Sequence, residues 1–405
     1  MAEPRRRVVV TGLGPVSSIG TGRAGFGAAL RAGRLGFSPI RSFDASGFPR
    51  RYAGEVHDFA PERLLRRLSV EQWGRSSLFA AAAARLAWSD AGLAAAAPDP
   101  GSVAVAIGTT SGESQVLQAL TAQQFAGGLG AMSAELLEVL PAERLAHAVS
   151  TELGARGESV TLATACAAGN YAVGYGYDLI AAGEAEIVLA GGADAVCRWA
   201  HAGFHRLGAL EEFACHPFDR DRAGVITAEG GAVVVLEELE RARSRGAPVL
   251  AEVLGHAMNC DAANMVAPGA VSIAACMRAA LADAGVEPAQ VDYVCAHGTG
   301  TPANDLAESR ALREVFGERP PPVSSVKSML GHTMGAASAF GIIACALAIS
   351  EGFLPPTMGW SAADPELGGI DPVPGAARPA VVRVAQNDAF AFGGNNSIAI
   401  LAAPS

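Results

Sequence analysis

The sequence predicts an α/β protein built from two similar halves, and three observations lead there. Short β-branched runs alternate with alanine-rich stretches, and the runs are continuously apolar, as in strands covered by helices on both faces. At 405 residues, half of them hydrophobic, the chain exceeds the usual single-domain size and can bury a large core. Finally, Arg85-Leu-Ala-Trp-Ser-Asp-Ala-Gly-Leu93 matches Arg278-Ala-Ala-Leu-Ala-Asp-Ala-Gly-Val286 at five of nine positions. Each copy closes a helix on a glycine, the residue suited to a left-handed C-terminal turn.

In order along the chain, Val8–Thr11, Val103–Ile107, Val160–Ala165, Ile187–Ala190 and Val233–Leu236 are expected strands, each a β-branched apolar run. Helices are expected near Ser76–Ser89, Gly169–Ala182 and Ser272–Ala284. In the second half, Val291–Ala296 and Val323–Val326 read as strands. A division near residue 245 gives an N-terminal half, 1–245, and a C-terminal half, 246–405. No proline-rich linker separates them, so they are expected to pack as one body. Strand Val160–Ala165 runs into a turn at Cys166 and strand Val323–Val326 into one at His332. Duplication would place Cys166 and His332 at equivalent strand-to-helix junctions.

Composition excludes several classes. A net charge of -10 argues against general nucleic-acid binding, which needs a basic face. The valine run after Arg7 is broken by Gly12 and Gly14, short of a signal-peptide core. The apolar stretch Gly335 to Ser350 falls under the roughly 18 residues of a membrane span and reads as a buried helix. Seven cysteines, scattered without CxxC spacing, fit free thiols in a reducing cytoplasm and give no zinc site.

Four segments hold the candidate chemistry. Lysine occurs once, at Lys327, while the rest of the 30 Lys+Arg are arginine. A compact ammonium fits where a planar guanidinium does not, and His332 follows five residues later. Cys166, in Thr161-Leu-Ala-Thr-Ala-Cys166-Ala-Ala-Gly-Asn170, stands between a buried strand and a helix start. Free N–H groups and the helix dipole there are expected to lower its thiol pKa. A cysteine is ordinarily core filling, and this context singles out Cys166 among the seven. His297 ends a strand and opens the loop His297-Gly-Thr299-Gly-Thr301, whose threonines can bind phosphate or a pantetheine amide. Asp305 and Glu308 follow at i, i+3, so both carboxylates can face one way. Near the C-terminus, Phe390-Ala-Phe392-Gly393-Gly394 can present a backbone N–H to a ligand. The histidines at 57, 147, 201, 205, 216 and 256 read as surface or supporting residues.

A thiolate can accept an acyl group, and two neutral imidazoles can stabilise an enolate or oxyanion. A fixed positive charge would keep those imidazoles neutral. That combination describes decarboxylative Claisen condensation, not amide hydrolysis.

Here the sequence resembles a β-ketoacyl-acyl carrier protein synthase of the elongating type. The resemblance spans nearly the whole chain, from Arg7-Val-Val-Val-Thr-Gly-Leu-Gly14 through Pro217-Phe-Asp-Arg-Asp-Arg-Ala-Gly224 to Phe392-Gly-Gly. It implies a thiolase-like duplicated fold, two mixed five-stranded sheets sandwiching and covered by helices. It implies Cys166 as acyl acceptor, and His297 and His332 as binders of the malonyl thioester carbonyl. Lys327 would pair with Glu308 and hold the histidines. The N–H groups of Cys166 and Phe392 would form the oxyanion hole, with Gly393 in the same gating turn. Thr299, Thr301, Ser111, Phe204, Phe390 and Asp261 would contact pantetheine or acyl chain. Acyl carrier protein is the implied partner, received by a basic patch whose candidates are Arg63, Arg66, Arg67 and Arg75. A homodimer, or a heterodimer with a related chain-length subunit, is implied. No cofactor or metal and no nucleic-acid or membrane partner is implied.

Three other readings are set against this one. A thiolase or three-carbon-primed synthase would want a second cysteine, or an asparagine, where His332 stands. A non-catalytic partner subunit would lack the nucleophile, and a decarboxylating primer generator would carry glutamine there. Asn395, Ser111, Ser338 and Ala228 depart from common family residues. They favour a polyketide or polyene pathway over general fatty-acid synthesis.

Overall fold

The computed structural model describes residues 5–405. Ten strands carry the architecture: β1 Val8–Ser17, β2 Val103–Gly108, β3 Ser159–Leu162, β4 Ile187–Asp194, β5 Gly230–Glu238, β6 Ala251–Cys260, β7 Tyr293–Cys295, β8 Val323–Ser324, β9 Val384–Phe390 and β10 Asn395–Ala402. Their spatial order is β8-β7-β9-β10-β6-β1-β5-β4-β2-β3, with the short strand Gly20–Thr21 folded back on β1 as the eleventh.

This order contains the same motif twice. In the first half β2 is parallel to β3 and β4, and β4 is antiparallel to β5, which is antiparallel to β1. In the second half β7 is parallel to β8 and β9, and β9 is antiparallel to β10, which is antiparallel to β6. Among the described residues, the two five-stranded sets join only where Val8, Val9 and Val10 pair with Val253, Glu252 and Ala251. The expected two sheets are therefore edge-linked through three residues.

Six helices matter for the site: α1 Arg75–Asp90, α2 Ala168–Ala181, α3 Arg198–Arg206, α4 Ala270–Ala284, α5 Pro302–Phe316 and α6 Ala337–Glu351. Helices α2 and α6 touch each other and strands of both sets, forming a middle layer. Helix α1 packs outside the first set and α4 outside the second. The hydrophobic core divides accordingly, with one cluster around α2 and α6 and one under each outer face. A helix between two sheets must be apolar all round, which explains why α6 is buried from Ala337 to Ala348. With its preceding turn, this segment reaches 18 residues, Met334–Glu351, the length of a membrane span. It is 83% buried and serves as the core helix.

The nonapeptide repeat maps onto this duplication. Gly92 after α1 and Gly285 after α4 are both left-handed, with φ of 71° and 64°, and β2 and β7 follow in turn. The two strands before the reactive turns are shorter than expected. β3 stops at Leu162 because Thr164 and Ala165, with φ of -112° and +48°, start a 3-10 turn. β8 stops at Ser324 because Val326 is already helical, with ψ of -16°, and Lys327–Leu330 form one helical turn.

That extra turn also shifts the expected equivalence. Thr164, Ala165 and Cys166 correspond to Thr333, Met334 and Gly335, since each triplet opens a 3-10 turn leading into a central helix. Ala165 and Met334 share a positive φ, 48° and 53°. The counterpart of Cys166 is thus Gly335, and His332 lies three residues earlier. A Cβ at Gly335 would sit 2.6 Å from Thr109 Cα, so the second copy of the turn has no room for a side chain.

Candidate active site

Cys166, His297 and His332 come from three separated segments and line one cavity, with Phe204, Thr299, Thr301, Phe390 and Phe392 among its other walls. Cys166 is the second residue of the turn into α2 and is 6% exposed. The charge of Lys327, and then the N–H groups of Phe392 and of Cys166 itself, favour its thiolate. The expected drop in thiol pKa does not follow. Burial pushes Cys166 up to about 11, and the Asp194 carboxylate adds to the rise. Desolvation outweighs the helix terminus here, so Cys166 rests as a thiol.

The two imidazole rings lie 5.7 Å apart, nearly perpendicular at 83°, and His297 also meets Phe390 at 5.5 Å. Burial, and then the Lys327 charge, hold both histidines well below their ordinary range, so both are neutral. His332 Nδ1 accepts the Met334 N–H at 3.1 Å, which places its proton on Nε2, facing the cavity chemistry. Its backbone is pinned between Ile226 and Ala228, through bonds of 2.7 and 2.9 Å.

Lys327 is buried and donates to the His297 carbonyl at 2.6 Å. It makes no ion pair with Glu308, contrary to the expectation from the resemblance. Glu308 instead accepts the N–H groups of His297 and Gly298, each at 2.8 Å, and Asn304 Nδ2 at 3.2 Å. Ammonium and carboxylate thus grip opposite sides of the same peptide and meet only through it. Asp305 supports the rest of the loop, accepting from Phe218 N–H at 2.7 Å and Gly300 N–H at 3.2 Å. This gives the Pro217–Gly224 segment its place, under the histidine loop.

Other expected residues are distributed unevenly. The Thr299 and Thr301 hydroxyls lie 2.8 Å apart, and Thr301 also caps α5. Phe204 on α3 stacks 5.7 Å from Phe392 and 6.0 Å from His332, so two phenylalanines frame the entrance. Gly393, with φ of 88°, gives its N–H to Met265 O and not to the cavity. Asp261 lines the cavity while its carboxylate binds Gly269 N–H, Ser272 and Asn396. Ser111 is not in the wall, and its N–H faces Asp194 at 3.4 Å. Arg63, Arg66 and Arg67 are exposed. Arg75 is not free, because it binds Glu229 at 2.6 Å and lies over Phe79.

Two buried carboxyls escaped the sequence reading. Asp194 ends β4 and accepts from Thr109 Oγ1 at 2.7 Å, Thr110 N–H at 2.8 Å and Gly335 N–H at 2.7 Å. Burial raises it to about 6. Asp388 on β9 is buried as well, and burial and then the Glu308 charge hold it well above the usual carboxylate range. Asp194 is a lone acid at the end of an apolar strand, which was the available signal, whereas Asp388 follows Gln386 and Asn387 and gave none.

Comparison with known proteins agrees with this geometry. Residues 5–242 match the beta-ketoacyl synthase N-terminal domain and residues 250–361 its C-terminal domain. A 3-oxoacyl-(acyl-carrier-protein) synthase 2 of Synechocystis sp. is 37% identical over 406 residues, 97% of each chain. The tetracenomycin polyketide synthase ketoacyl synthase alpha subunit of Streptomyces glaucescens is 38% identical, over 98% of this chain and 97% of that one. Among solved structures, the ishigamide ketosynthase/chain length factor superposes with a TM-score of 0.97 at 49% identity, covering 99% of this chain and 100% of that chain. The chain belongs to the β-ketoacyl synthase family and is an enzyme of decarboxylative condensation.

Proposed function

We propose that Cys166 takes the growing acyl chain from a carrier thioester and that His297 and His332 act on the malonyl unit that extends it. The observation behind this reading is the cavity shared by one thiol, two neutral imidazoles and two convergent N–H groups. In the first half-reaction the thiol sulfur bonds the acyl carbon, and its proton leaves with the departing pantetheine thiol. In the second, malonyl thioester loses CO2, and the enolate oxygen is held by imidazole N–H donors, His332 Nε2–H among them. The enolate carbon attacks the acyl group while the Cys166 and Phe392 N–H groups hold the tetrahedral oxyanion. Collapse expels the Cys166 thiolate, which takes up a proton. Decarboxylation itself supplies the carbanion, so the reaction calls for no cofactor.

Acyl carrier protein is the proposed donor of both substrates, and exposed Arg63, Arg66 and Arg67 are the proposed contacts. The likeness to the ishigamide ketosynthase/chain length factor and to the tetracenomycin alpha subunit favours a polyketide pathway and a related partner chain. Cys166, present with both histidines, sets this chain on the catalytic side of such a pair. Seven free cysteines suit the cytoplasm. Intact-mass spectrometry tests the reading. The acyl mass should appear on the enzyme and vanish when malonyl carrier protein is added, and Cys166→Ala should never acquire it. Acylation of Cys166→Ala, or an unmodified wild type across primer lengths, would refute it.

A further inference from the structure

A polar network lies buried just beyond Cys166. Asn170 on α2, Ser338 on α6, Asn387 on β9 and Ser397 on β10 are each 3% exposed or less. Asn170 Nδ2 donates to the Asn387 carbonyl at 3.2 Å and to the Ser397 carbonyl at 3.1 Å, taking one acceptor from each strand of the β9–β10 hairpin. Its Oδ1 accepts from Asn387 Nδ2 at 2.7 Å, and that nitrogen also donates to the Ser338 carbonyl at 2.9 Å. The Asn170 N–H donates to Ser338 Oγ at 2.9 Å. Two oxygens face each amide nitrogen, and only a donor suits that place, which fixes both amides in this orientation.

The apolar contacts around this helix start do little to fix its position. Ala167, Ala168 and Gly169 present a methyl group or none, and a Cβ at Gly169 would stand 2.7 Å from Ala339 N on α6. Such contacts resist separation of the two helices but resist sliding weakly, because burial is non-directional. Hydrogen bonds are directional, and a satisfied buried network specifies one arrangement. Here it specifies where the Cys166 turn sits against the hairpin. The turn Ala165–Ala167 touches both β9 and β10. Beyond Asn387 the same hairpin brings Phe392 to the cavity wall that Cys166 shares.

We propose that Asn170 is a positioning residue that registers the two halves of the oxyanion hole, the Cys166 N–H on the helix side and the Phe392 N–H on the hairpin side. The inference rests on the reading that Cys166 carries the acyl group. Asn170 stands outside the cavity wall, so it acts through the helix start and the hairpin rather than on substrate. With the bridge cut, the two donors cease to converge on one oxygen.

The test uses the full-length enzyme and two variants. Asn170→Leu keeps the bulk and removes three of the four amide hydrogen bonds, and Asn387→Ala removes two. Each is acylated from a straight-chain acyl carrier protein labelled with 13C at the thioester carbonyl, whose stretch is read by isotope-edited infrared spectroscopy. In wild type the two donors should hold this band below its position in the unfolded acyl-enzyme. In Asn170→Leu it should rise towards the unfolded position, and in Asn387→Ala by less. Acylation should slow roughly tenfold in Asn170→Leu with KM for the acyl carrier little changed, short of the about 10²–10³-fold cost of deleting a whole oxyanion-hole donor. A variant that melts earlier but keeps the wild-type band would overturn the proposal, since network and stability would then be all that Asn170 serves. Crystal structures of the free enzymes read the register without substrate, and the separation of the Cys166 and Phe392 backbone nitrogens should differ between wild type and Asn170→Leu. An unchanged separation would overturn the proposal whatever the enzyme condenses. A changed separation in an enzyme that takes no acyl group would support the register and refute the ketosynthase reading alone. Should Asn170→Leu not fold, Asn387→Ala decides by the same band and the same separation.

Discussion

Lys327→Met separates two jobs that one ammonium performs, holding a peptide and setting the charge state of two histidines. The side chain is 3% exposed and donates at 2.6 Å to the His297 carbonyl. Losing a hydrogen bond from a charged donor costs about 2 kcal/mol, roughly a thirtyfold change in the folded-to-unfolded ratio. Breaking a buried ion pair would cost about 3–5 kcal/mol, but that penalty does not apply. Lys327 has no direct carboxylate partner, and Glu308, already raised to about 7, can take up a proton in compensation. Denaturant melts should therefore show a loss near the smaller figure. The second job concerns the histidines, whose pKa values the Lys327 charge lowers after burial has done so. In Lys327→Met both should rise, staying below the ordinary value because burial remains. Ring-proton NMR titration reads this directly, and the acid limb of malonyl decarboxylation should move up in pH with it. Lys327→Arg keeps the charge while forcing a planar fork into a slot shaped for an ammonium. It should leave the histidine titrations low yet reduce turnover. Unchanged histidine titrations in Lys327→Met, or a Lys327→Arg enzyme with full turnover, would refute the assignment of charge to one job and shape to the other.

Two more expectations follow from the same geometry. Asp194 is protonated more readily when folded, at about 6 against an ordinary 3.8, so its favourable contribution is complete below about pH 4 and is lost as pH rises through 6. Asp194→Asn should flatten that stretch of the stability profile, measured by denaturant melts at successive pH values, and an unchanged slope would disprove it. Arg66→Ala and Arg67→Ala should raise KM for carrier-bound substrate, more so at low salt, while Arg75→Ala, breaking its 2.6 Å bond to buried Glu229, should lower stability instead. Steady-state kinetics beside thermal melts distinguish the two outcomes.

The strands and central helices were legible because burial on both faces forces continuous apolar runs, and no other element of a soluble fold needs them. The candidate thiol, histidines and lysine were legible because each stands beside a glycine or a helix start. What the sequence concealed is long-range. Nothing local to Lys327 reveals that its partner is the His297 carbonyl rather than Glu308, since that carbonyl belongs to the loop that Glu308 also binds. The thiol pKa was misjudged because the helix terminus is visible in sequence, whereas burial depends on residues far away along the chain, such as Phe204, His297 and Phe392, that line the same cavity. Arg75 looked like a free surface charge for the same reason, as Glu229 is 154 residues away in sequence. Ser111 looked like a pocket residue, although its turn is drawn back by Asp194.

The duplication explains why only one of two similar turns suits the proposed nucleophile. Both turns open on a residue with positive φ, both lead into a central helix, and both present an N–H at their second position. In the second copy that N–H, from Gly335, is consumed by Asp194 at 2.7 Å, and Thr109 leaves no space for a side chain. In the first copy the N–H of Cys166 has no such acid and, with the Phe392 N–H, favours the thiolate. A helix start already bound to a carboxylate cannot also stabilise a developing oxyanion, because the donor and most of the local positive potential are spent. Asp194 therefore occupies one N-terminus and so leaves its twin as the free one. It also adds to the burial that opposes ionisation of Cys166. Restoring a side chain at residue 335 would not create a second nucleophile while Asp194 holds that N–H. The asymmetry of the active site lies as much in that acid as in the cysteine.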